Sequence, residues 1–309
     1  MARLFTLIYI LALLLAPLPA ASADKTQYSW LADRAEGMSS DKIMQLADRY
    51  AAEGKQGEAL VLYAMVYGRW RDGMDDAAKN ICVLACKQAG AVYYGRGDYV
   101  NALDRFIYGV KLSGQCAEQR YAANLYNNIG NVYGMFLDYE KSIDYYLKAY
   151  DYVKKHPDRK VEYIILSNLT GTYTFIDDVA NAKKYFRLTE RLMDKADPVN
   201  VFMRDYMFSL IQVKEGDAAP AIARLKDLAR YAVDKKIGPS YVCFAYQEIY
   251  NAYALIGRRD SALKYMMMCD EEAGRHNLQH TFAETLKNIS EFYEEKGDVA
   301  KSNLYKSRY

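Results

Sequence analysis

Apolar and aromatic residues recur along the chain at spacings of three and four, which is the pattern of one helix face. One copy shows a first apolar face, a polar turn and a second apolar face, formed by Tyr126, Ile129, Gly130, Tyr133, Asp138, Ser142, Tyr146 and Ala149. Gly or Asp at the turn permits left-handed backbone. Each copy therefore predicts a helix A and a helix B joined by a tight turn.

The pattern occurs seven times, with its turn at positions 54, 97, 137, 177, 216, 257 and 297, so the period is about 40 residues. A helix A cannot bury its apolar face alone, so each pair needs its neighbour. The sequence predicts an all-α solenoid of about seven antiparallel helix pairs. The repeats are expected near residues 41–80, 83–120, 123–158, 163–198, 202–237, 243–277 and 283–309.

Over residues 41–309 this pattern resembles the tetratricopeptide repeat family. The resemblance implies helix pairs stacked into a right-handed superhelix, with helix A residues lining a concave groove. The usual period in this family is about 34 residues, so these repeats are elongated. Elongated repeats of this kind are similar to those of bacterial regulators and sensor proteins.

The first 23 residues match a signal peptide and are set apart from the fold. Arg3 supplies the positive charge, Leu4–Leu15 is an apolar run, and Ala21 and Ala23 are the small residues of a cleavage site before Asp24. The apolar run is shorter than the ~20 residues of a membrane-spanning helix. We therefore expect export to a periplasmic or periplasm-facing location, with residues 24–40 forming an N-terminal cap or linker.

The seventh repeat stops at Tyr309 before its helix B is complete, which would leave Leu304 and Tyr305 uncovered. Terminal repeats normally carry a polar capping helix. Either the last helix frays, or the natural chain continues beyond Tyr309; in the second case we expect a membrane tether and an output domain there.

Composition narrows the classes of function. Lys and Arg exceed Asp and Glu by only +2, which gives no field to attract nucleic acid. Five cysteines are scattered through helical stretches. Two interpretations stay open for them: small buried apolar residues, or one bridge between neighbouring helices.

No constellation for catalysis, a metal or a cofactor is found in the sequence. His276 and His280 are four residues apart, but the interior Glu of the zinc-protease motif is absent, so both are expected at the surface. No nucleophile is paired with a base in the sequence. The prediction is a non-enzymatic protein without cofactor or metal, and a hydrolase is the remote alternative.

The resemblance implies which helix A residues face the groove, where a protein or peptide segment would bind. The predicted binding residues are Lys87, Tyr94, Asn124, Asn127, Asn128, Asn131, Asn168, Tyr206, Gln247 and Asn251. Asn lowers helix stability relative to Ala, so four asparagines in the third repeat require a reason. Either their amides grip the backbone of an extended peptide, or Asn at the sixth position of helix A ties neighbouring helices together, as at Asn128, Asn168 and Asn288.

The family's carboxylate clamp is matched only by Lys87 and Asn128, whereas Ala91, Ile164 and Asn168 depart from it. The hypothesis is therefore a general peptide-binding module outside the cytoplasm, as the sensor portion of a membrane-associated regulator. The alternative is a free-standing periplasmic scaffold or assembly factor.

Overall fold

The computed structural model describes residues 28–278 and 282–308, and the regular secondary structure in these ranges is helical. The helices are α1 Ser29–Ala35, α2 Ser40–Ala52, α3 Gln56–Tyr67, α4 Asp76–Gly95, α5 Tyr99–Ser113, α6 Ala122–Met135, α7 Tyr139–Lys155, α8 Arg159–Phe175, α9 Val179–Leu192, α10 Pro198–Lys214, α11 Ala218–Asp234, α12 Pro239–Leu255, α13 Arg259–Arg275, α14 Ala283–Glu295 and α15 Val299–Lys306. After α1 the helices follow one another as seven A and B pairs in chain order. The predicted all-α repeat fold is confirmed.

The chain divides into two compact units. The N-terminal unit comprises the described residues up to Thr172, and the C-terminal unit those from Tyr173 onwards. Helix α8 crosses this boundary.

In the N-terminal unit, α1 packs on the first helix pair. Leu31 and Ala35 of α1 are fully buried in one cluster with Ile43 of α2 and Leu62 of α3. The cluster continues to Ala85 on α4, so the first pair is buried between α1 and the second pair. The segment 24–40, predicted as an N-terminal cap or linker, thus contributes the short helix α1 to the core.

Glycine on helix A allows the two helices of a pair to approach closely. A Cβ atom added to Gly90 would lie 2.4 Å from the Phe106 ring, and one added to Gly130 would lie 2.6 Å from the Tyr146 ring. The Ser142 hydroxyl also donates to the Gly130 carbonyl at 2.9 Å. The aromatic residue of helix B therefore occupies the space that the missing side chain leaves on helix A.

The turn between helices A and B is left-handed in every repeat. Gly97 has φ +75°, and Leu137 holds φ 63° at the equivalent position although it carries a branched side chain. In the second and third repeats the next residue caps helix B: the Asp98 and Asp138 carboxylates accept from backbone N–H groups three residues later, at 3.2 and 3.1 Å. The sequence anticipated Gly or Asp at the turn, and Leu137 is the exception.

Pairs of tyrosines, one on helix A and one on helix B, stack beside these turns in four of the described repeats. In the N-terminal unit Tyr133 stacks on Tyr145 at 5.4 Å between ring centroids. In the C-terminal unit the equivalent pairs are Tyr173–Tyr185, Tyr253–Tyr265 and Tyr293–Tyr305, at 5.4, 5.8 and 6.0 Å. In the fifth repeat a hydrogen bond of 2.7 Å from Arg224 to Gln212 replaces the stack.

The C-terminal unit has an aromatic core made by Phe202, Tyr206 and Phe244, all nearly or fully buried. Its last helix is short, and Leu304 is 58% exposed, as expected from the sequence. Tyr305, in contrast, is half-buried because its ring stacks on Tyr293. The expectation that Tyr305 lies uncovered is therefore corrected.

None of the helices in the described ranges combines a membrane-spanning length with a sufficiently apolar sequence. The predicted signal peptide, including Leu4–Leu15, lies outside the described residues.

Candidate functional site

Polar side chains on successive A helices of the N-terminal unit are joined by hydrogen bonds. Gln88 on α4 donates to the Asp48 carboxylate on α2 at 3.5 Å. Asn168 on α8 donates to the side-chain oxygens of Asn127 and Asn131 on α6, at 2.9 and 3.2 Å. We call these five residues the polar ladder.

Tyrosines of helix B complete the polar ladder. The Tyr63 hydroxyl donates to Asp48 at 2.6 Å, and the Tyr146 hydroxyl donates to Asn131 at 2.7 Å. Burial, followed by the Asp48 contact, raises the pKa of Tyr63, and burial raises the pKa of Tyr146. Both phenols therefore remain neutral donors, and each ties an A helix to its own B helix.

These contacts use three of the predicted binding residues between helices, and one of them, Asn168, holds the sixth position at which a helix-tying asparagine was expected. Asn128, expected to tie helices in the same way, does not take part in them. Asn127 is 6% exposed, and the side-chain oxygens of Asn127 and Asn131 both accept from Asn168. Their amides connect α6 to α8. These hydrogen bonds support a structural role for the three asparagines, and their contact with a ligand stays a prediction.

The ladder follows a register that is interrupted between α4 and α6. Both donors, Gln88 and Asn168, precede the turn of their own repeat by nine residues, and two of the three acceptors, Asp48 and Asn131, precede theirs by six. In the step between, Asn128 holds the donor position, and Ala91 holds the acceptor position. An alanine side chain accepts no hydrogen bond, so Asn128 has no ladder partner.

Asn124 and Asn128 are half-buried, and among the described residues neither amide has a hydrogen-bonding partner. Tyr121, Asn124 and Asn128 are spaced by three and four residues at the start of α6, so they lie on one face. Two amides on this face thus keep their full capacity to donate and accept.

Lys87 of α4 faces the same end of α6. Its ammonium nitrogen lies 5.7 Å from the centroid of the Tyr121 ring. Burial lowers the pKa of Lys87, and the more distant Asp48 carboxylate opposes that shift. Within the described ranges no carboxylate forms a salt bridge with Lys87. This partly desolvated cation attracts an anionic or polar group more strongly than a fully hydrated lysine would.

We call Lys87, Tyr121, Asn124 and Asn128 the Lys87 patch. It combines one cation, two unpaired amides and an aromatic ring, beside the exposed Ala91. Such a set can bind carbonyl, amide and carboxylate groups, which are the groups of a peptide.

Tyr121 was missed by the sequence reasoning because it lies just before the helix and outside the mapped positions. Its spacing of three from Asn124 was the available signal. Asp48 was missed as well, although it precedes Gly54 by the same six residues that separate Asn131 from Leu137.

Tyr94, another predicted binding residue, is half-buried. Its ring packs edge-on against Tyr99 at 5.4 Å between centroids. It therefore belongs to the aromatic contacts beside the turn of the second repeat.

In the C-terminal unit, the predicted binding residues are mostly internal. Tyr206 is fully buried and Gln247 is 8% exposed. Tyr206 and Asn251 both donate to the Glu248 carboxylate, at 3.4 and 3.3 Å. Burial and the adjacent Glu248 raise the pKa of Tyr206 well above its ordinary value. The expectation that Tyr206 and Gln247 line an open groove is corrected, because both side chains are part of the core.

Among the described residues no group of three His, Cys, Asp or Glu side chains is arranged to hold a metal ion. His276 lies 3.3 Å from Glu272 on its own helix with its side chain 46% exposed, and His280 lies outside the described residues. All five cysteines are buried free thiols.

No protein-family model matches the chain, and no curated protein sequence does. Solved structures do match. The apo form of RapI has a TM-score of 0.67 at 12% identity and covers 86% of this chain and 94% of RapI. Aspartyl phosphate phosphatase F from Bacillus subtilis has a TM-score of 0.53 at 12% identity and covers 94% of both chains. The APC/C hetero-tetramer Cut9-Hcn1 contains a chain with a TM-score of 0.52 at 10% identity, covering 92% of this chain and 55% of that one.

The chain has a tetratricopeptide-repeat fold. Identities this low show the fold and carry no residue roles across. Proteins with a tetratricopeptide-repeat fold generally bind other proteins along extended surfaces. A more specific function therefore depends on the chemistry of the Lys87 patch.

Proposed function

We propose that the chain is a non-enzymatic module that binds an extended peptide segment of a partner protein at the Lys87 patch. The observation that supports this is the interruption of the polar ladder. At the other two steps the polar groups are used between helices, whereas Asn124, Asn128 and Lys87 have no polar partner within the part of the chain that the structure describes. Partly buried polar groups gain most from a ligand that supplies the missing partners.

The ligand suited to this patch presents carbonyl and carboxylate oxygens in an extended conformation. An Asn side chain can pair with a backbone amide by donating and accepting at once. The Lys87 ammonium strengthens a hydrogen bond to an acidic group. The fold alone does not decide this function, because one structural match is named as a phosphatase and another as a hetero-tetramer of two proteins.

A displayed library of random peptides tests the binding proposal. The wild-type chain should enrich a set of related sequences, and the double variant K87A/N128A should bind them at least about tenfold more weakly, because hydrogen bonds to a charged group contribute ~1.5–3 kcal/mol. The matched control is K111A, which removes an exposed lysine of α5 in the same unit. Fluorescence anisotropy with the labelled peptides measures the difference. Equal binding by wild type and double variant would refute the assignment of the site.

We also propose that this module works outside the cytoplasm. Support comes from the first 23 residues, which carry the charge, apolar run and small residues of a signal peptide. Residues 1–40 fused to an alkaline phosphatase that lacks its own leader should give enzyme active outside the cytoplasm, with cleavage before Asp24. Deleting Leu4–Leu15 is the control and should abolish export. Retention of the intact fusion inside the cell would contradict the proposal.

Within that location we propose the sensor portion of a membrane-associated regulator, because the elongated period resembles that of bacterial regulators and sensors. The competing role is a free-standing periplasmic scaffold. After osmotic shock, the natural protein should stay with the membrane fraction if it is a sensor. Release of the natural protein together with soluble envelope proteins would favour the scaffold.

A further inference from the structure

Two buried cysteines meet between α12 and α13 in the C-terminal unit. The Cys243 sulfur lies 3.9 Å from the Cys269 carbonyl oxygen, and the Cys269 sulfur lies 3.6 Å from the Cys243 carbonyl oxygen. Both side chains are fully buried. The contact is reciprocal, so the two backbones are close together at these two residues.

Close approach of the two backbones is one requirement of a disulfide. A disulfide joins Cα atoms that are roughly 4.4–6.8 Å apart, with both Cβ atoms directed at one another. Because α12 and α13 form one pair around the turn at Gly257, the bond would link two helices that already pack together.

The other three cysteines lack this arrangement. The Cys82 thiol donates to the Val66 carbonyl at 3.3 Å, and the Cys116 thiol donates to the Leu112 carbonyl at 3.7 Å. Cys86 is on the same helix as Cys82, four residues further on. None of these contacts is reciprocal between two cysteines, which separates Cys243 and Cys269 from the rest.

We propose that Cys243 and Cys269 form a disulfide bond that fastens α12 to α13 when the chain folds under oxidising conditions. The inference is independent of the Lys87 patch, which lies in the other unit. Proposed export would supply the oxidising compartment, in which such bonds persist. The in vitro test below does not depend on export.

The reaction is thiol–disulfide exchange with a disulfide-bearing oxidant, either a small molecule or a protein. The thiolate of one cysteine attacks the oxidant, forms a mixed disulfide and releases the first thiol of the oxidant. The second cysteine thiolate then attacks the sulfur of the first cysteine and releases the second thiol. Two protein thiols are oxidised to one disulfide, and the oxidant disulfide is reduced to two thiols that carry the two protons.

The timing of this reaction follows from burial. The neighbouring Cys269 thiol and burial together raise the pKa of Cys243, so thiolate is scarce in the folded state. An oxidant also cannot reach a fully buried sulfur. The bond therefore forms while the C-terminal unit is folding, and the folded reduced protein oxidises slowly.

The full chain, refolded from denaturant in oxidised and reduced glutathione, tests the proposal. Free thiols are then alkylated and the protein is digested without reduction. Mass spectrometry should find most molecules with a peptide pair linking Cys243 and Cys269, lighter by two hydrogens than the free peptides and lost on reduction. Complete alkylation of both cysteines, or their pairing with Cys82, Cys86 or Cys116, would overturn the proposal.

A second measurement uses variants with matched buried cysteines. Reductant should lower the melting temperature of oxidised wild type by about 5 °C or more. It should leave C269A unchanged, and it should still lower that of the control C86A. An equal response of wild type and C269A would overturn the inference. The peptide map of the wild type stays decisive even if a variant fails to fold.

Discussion

Replacing Asn131 with alanine tests whether this asparagine stabilises the packing of its helices. The comparison is with Asn128, which the proposed function assigns to ligand binding. In the folded chain the Asn131 side-chain oxygen accepts from the Tyr146 hydroxyl at 2.7 Å and from Asn168 at 3.2 Å. The N131A variant removes the acceptor of both. Asn168 keeps a second acceptor, Asn127, at 2.9 Å. The Tyr146 side chain is only 1% exposed, so its hydroxyl cannot turn to bulk water instead.

The expected cost is dominated by Tyr146. Leaving a buried donor without an acceptor costs ~1–3 kcal/mol, and Asn168 adds little because Asn127 remains. Alanine also has a higher helix propensity than asparagine, which offsets up to ~0.7 kcal/mol. The N128A variant has the same increase in helix propensity but loses no hydrogen bond to another described residue. The difference between N131A and N128A is therefore expected to be ~1–3 kcal/mol, with N131A the less stable.

Urea unfolding followed by far-ultraviolet circular dichroism measures this difference, with the slope m compared among variants. A double variant, N131A/Y146F, removes the hydroxyl that N131A orphans, so it should be more stable than N131A alone. If N131A is as stable as N128A, or if Y146F brings no recovery, Asn131 does not tie α6 to α7. The interpretation of the polar ladder would then be refuted.

Three further predictions test the repeat geometry and its pH dependence. L137G should stabilise the chain by ~1 kcal/mol, because Leu137 holds φ 63° with its side chain 47% exposed; chemical denaturation measures this, and an unchanged or lower midpoint would contradict it. G130A should destabilise by ~1–3 kcal/mol, because its Cβ would lie 2.6 Å from the Tyr146 ring, whereas G37A, with open space around it, should stay within ~0.5 kcal/mol of wild type in the same assay. The cap hydrogen bonds lower the pKa of Asp178, so its contribution is present above the ordinary aspartate pKa of ~3.9 and is lost as pH falls below it. D178N should reduce the acid-induced loss of thermal stability below about pH 4, and an unchanged pH profile would contradict this.

The repeated fold followed from local rules, and for that reason the sequence was sufficient to predict it. Spacings of three and four residues fix a helix face wherever they occur. Gly90 and Gly130 lie against the Phe106 and Tyr146 rings, so a small residue on helix A lets helix B approach closely. Leu137 shows the limit of the turn rule, because its left-handed backbone is imposed by the helices on either side.

The site could not be read from the same rules, since it depends on contacts between residues about 40 positions apart. The sequence placed Asn127, Asn128 and Asn131 on one helix and left two interpretations open. Only the tertiary structure shows that Asn127 and Asn131 accept from Asn168, whereas Asn128 has no hydrogen-bonding partner among the described residues.

The other predicted binding residues differ in burial, and this difference also depends on contacts between repeats. Tyr206 and Lys87 occupy comparable helix A positions, yet Tyr206 is enclosed by the core while Lys87 reaches the Tyr121 ring. The sequence by itself therefore determined the helices, their pairing and the faces they bury. Which polar groups are used between helices and which are left for a partner was decided by the stacking of repeats, because a hydrogen bond forms only where donor and acceptor are brought within reach.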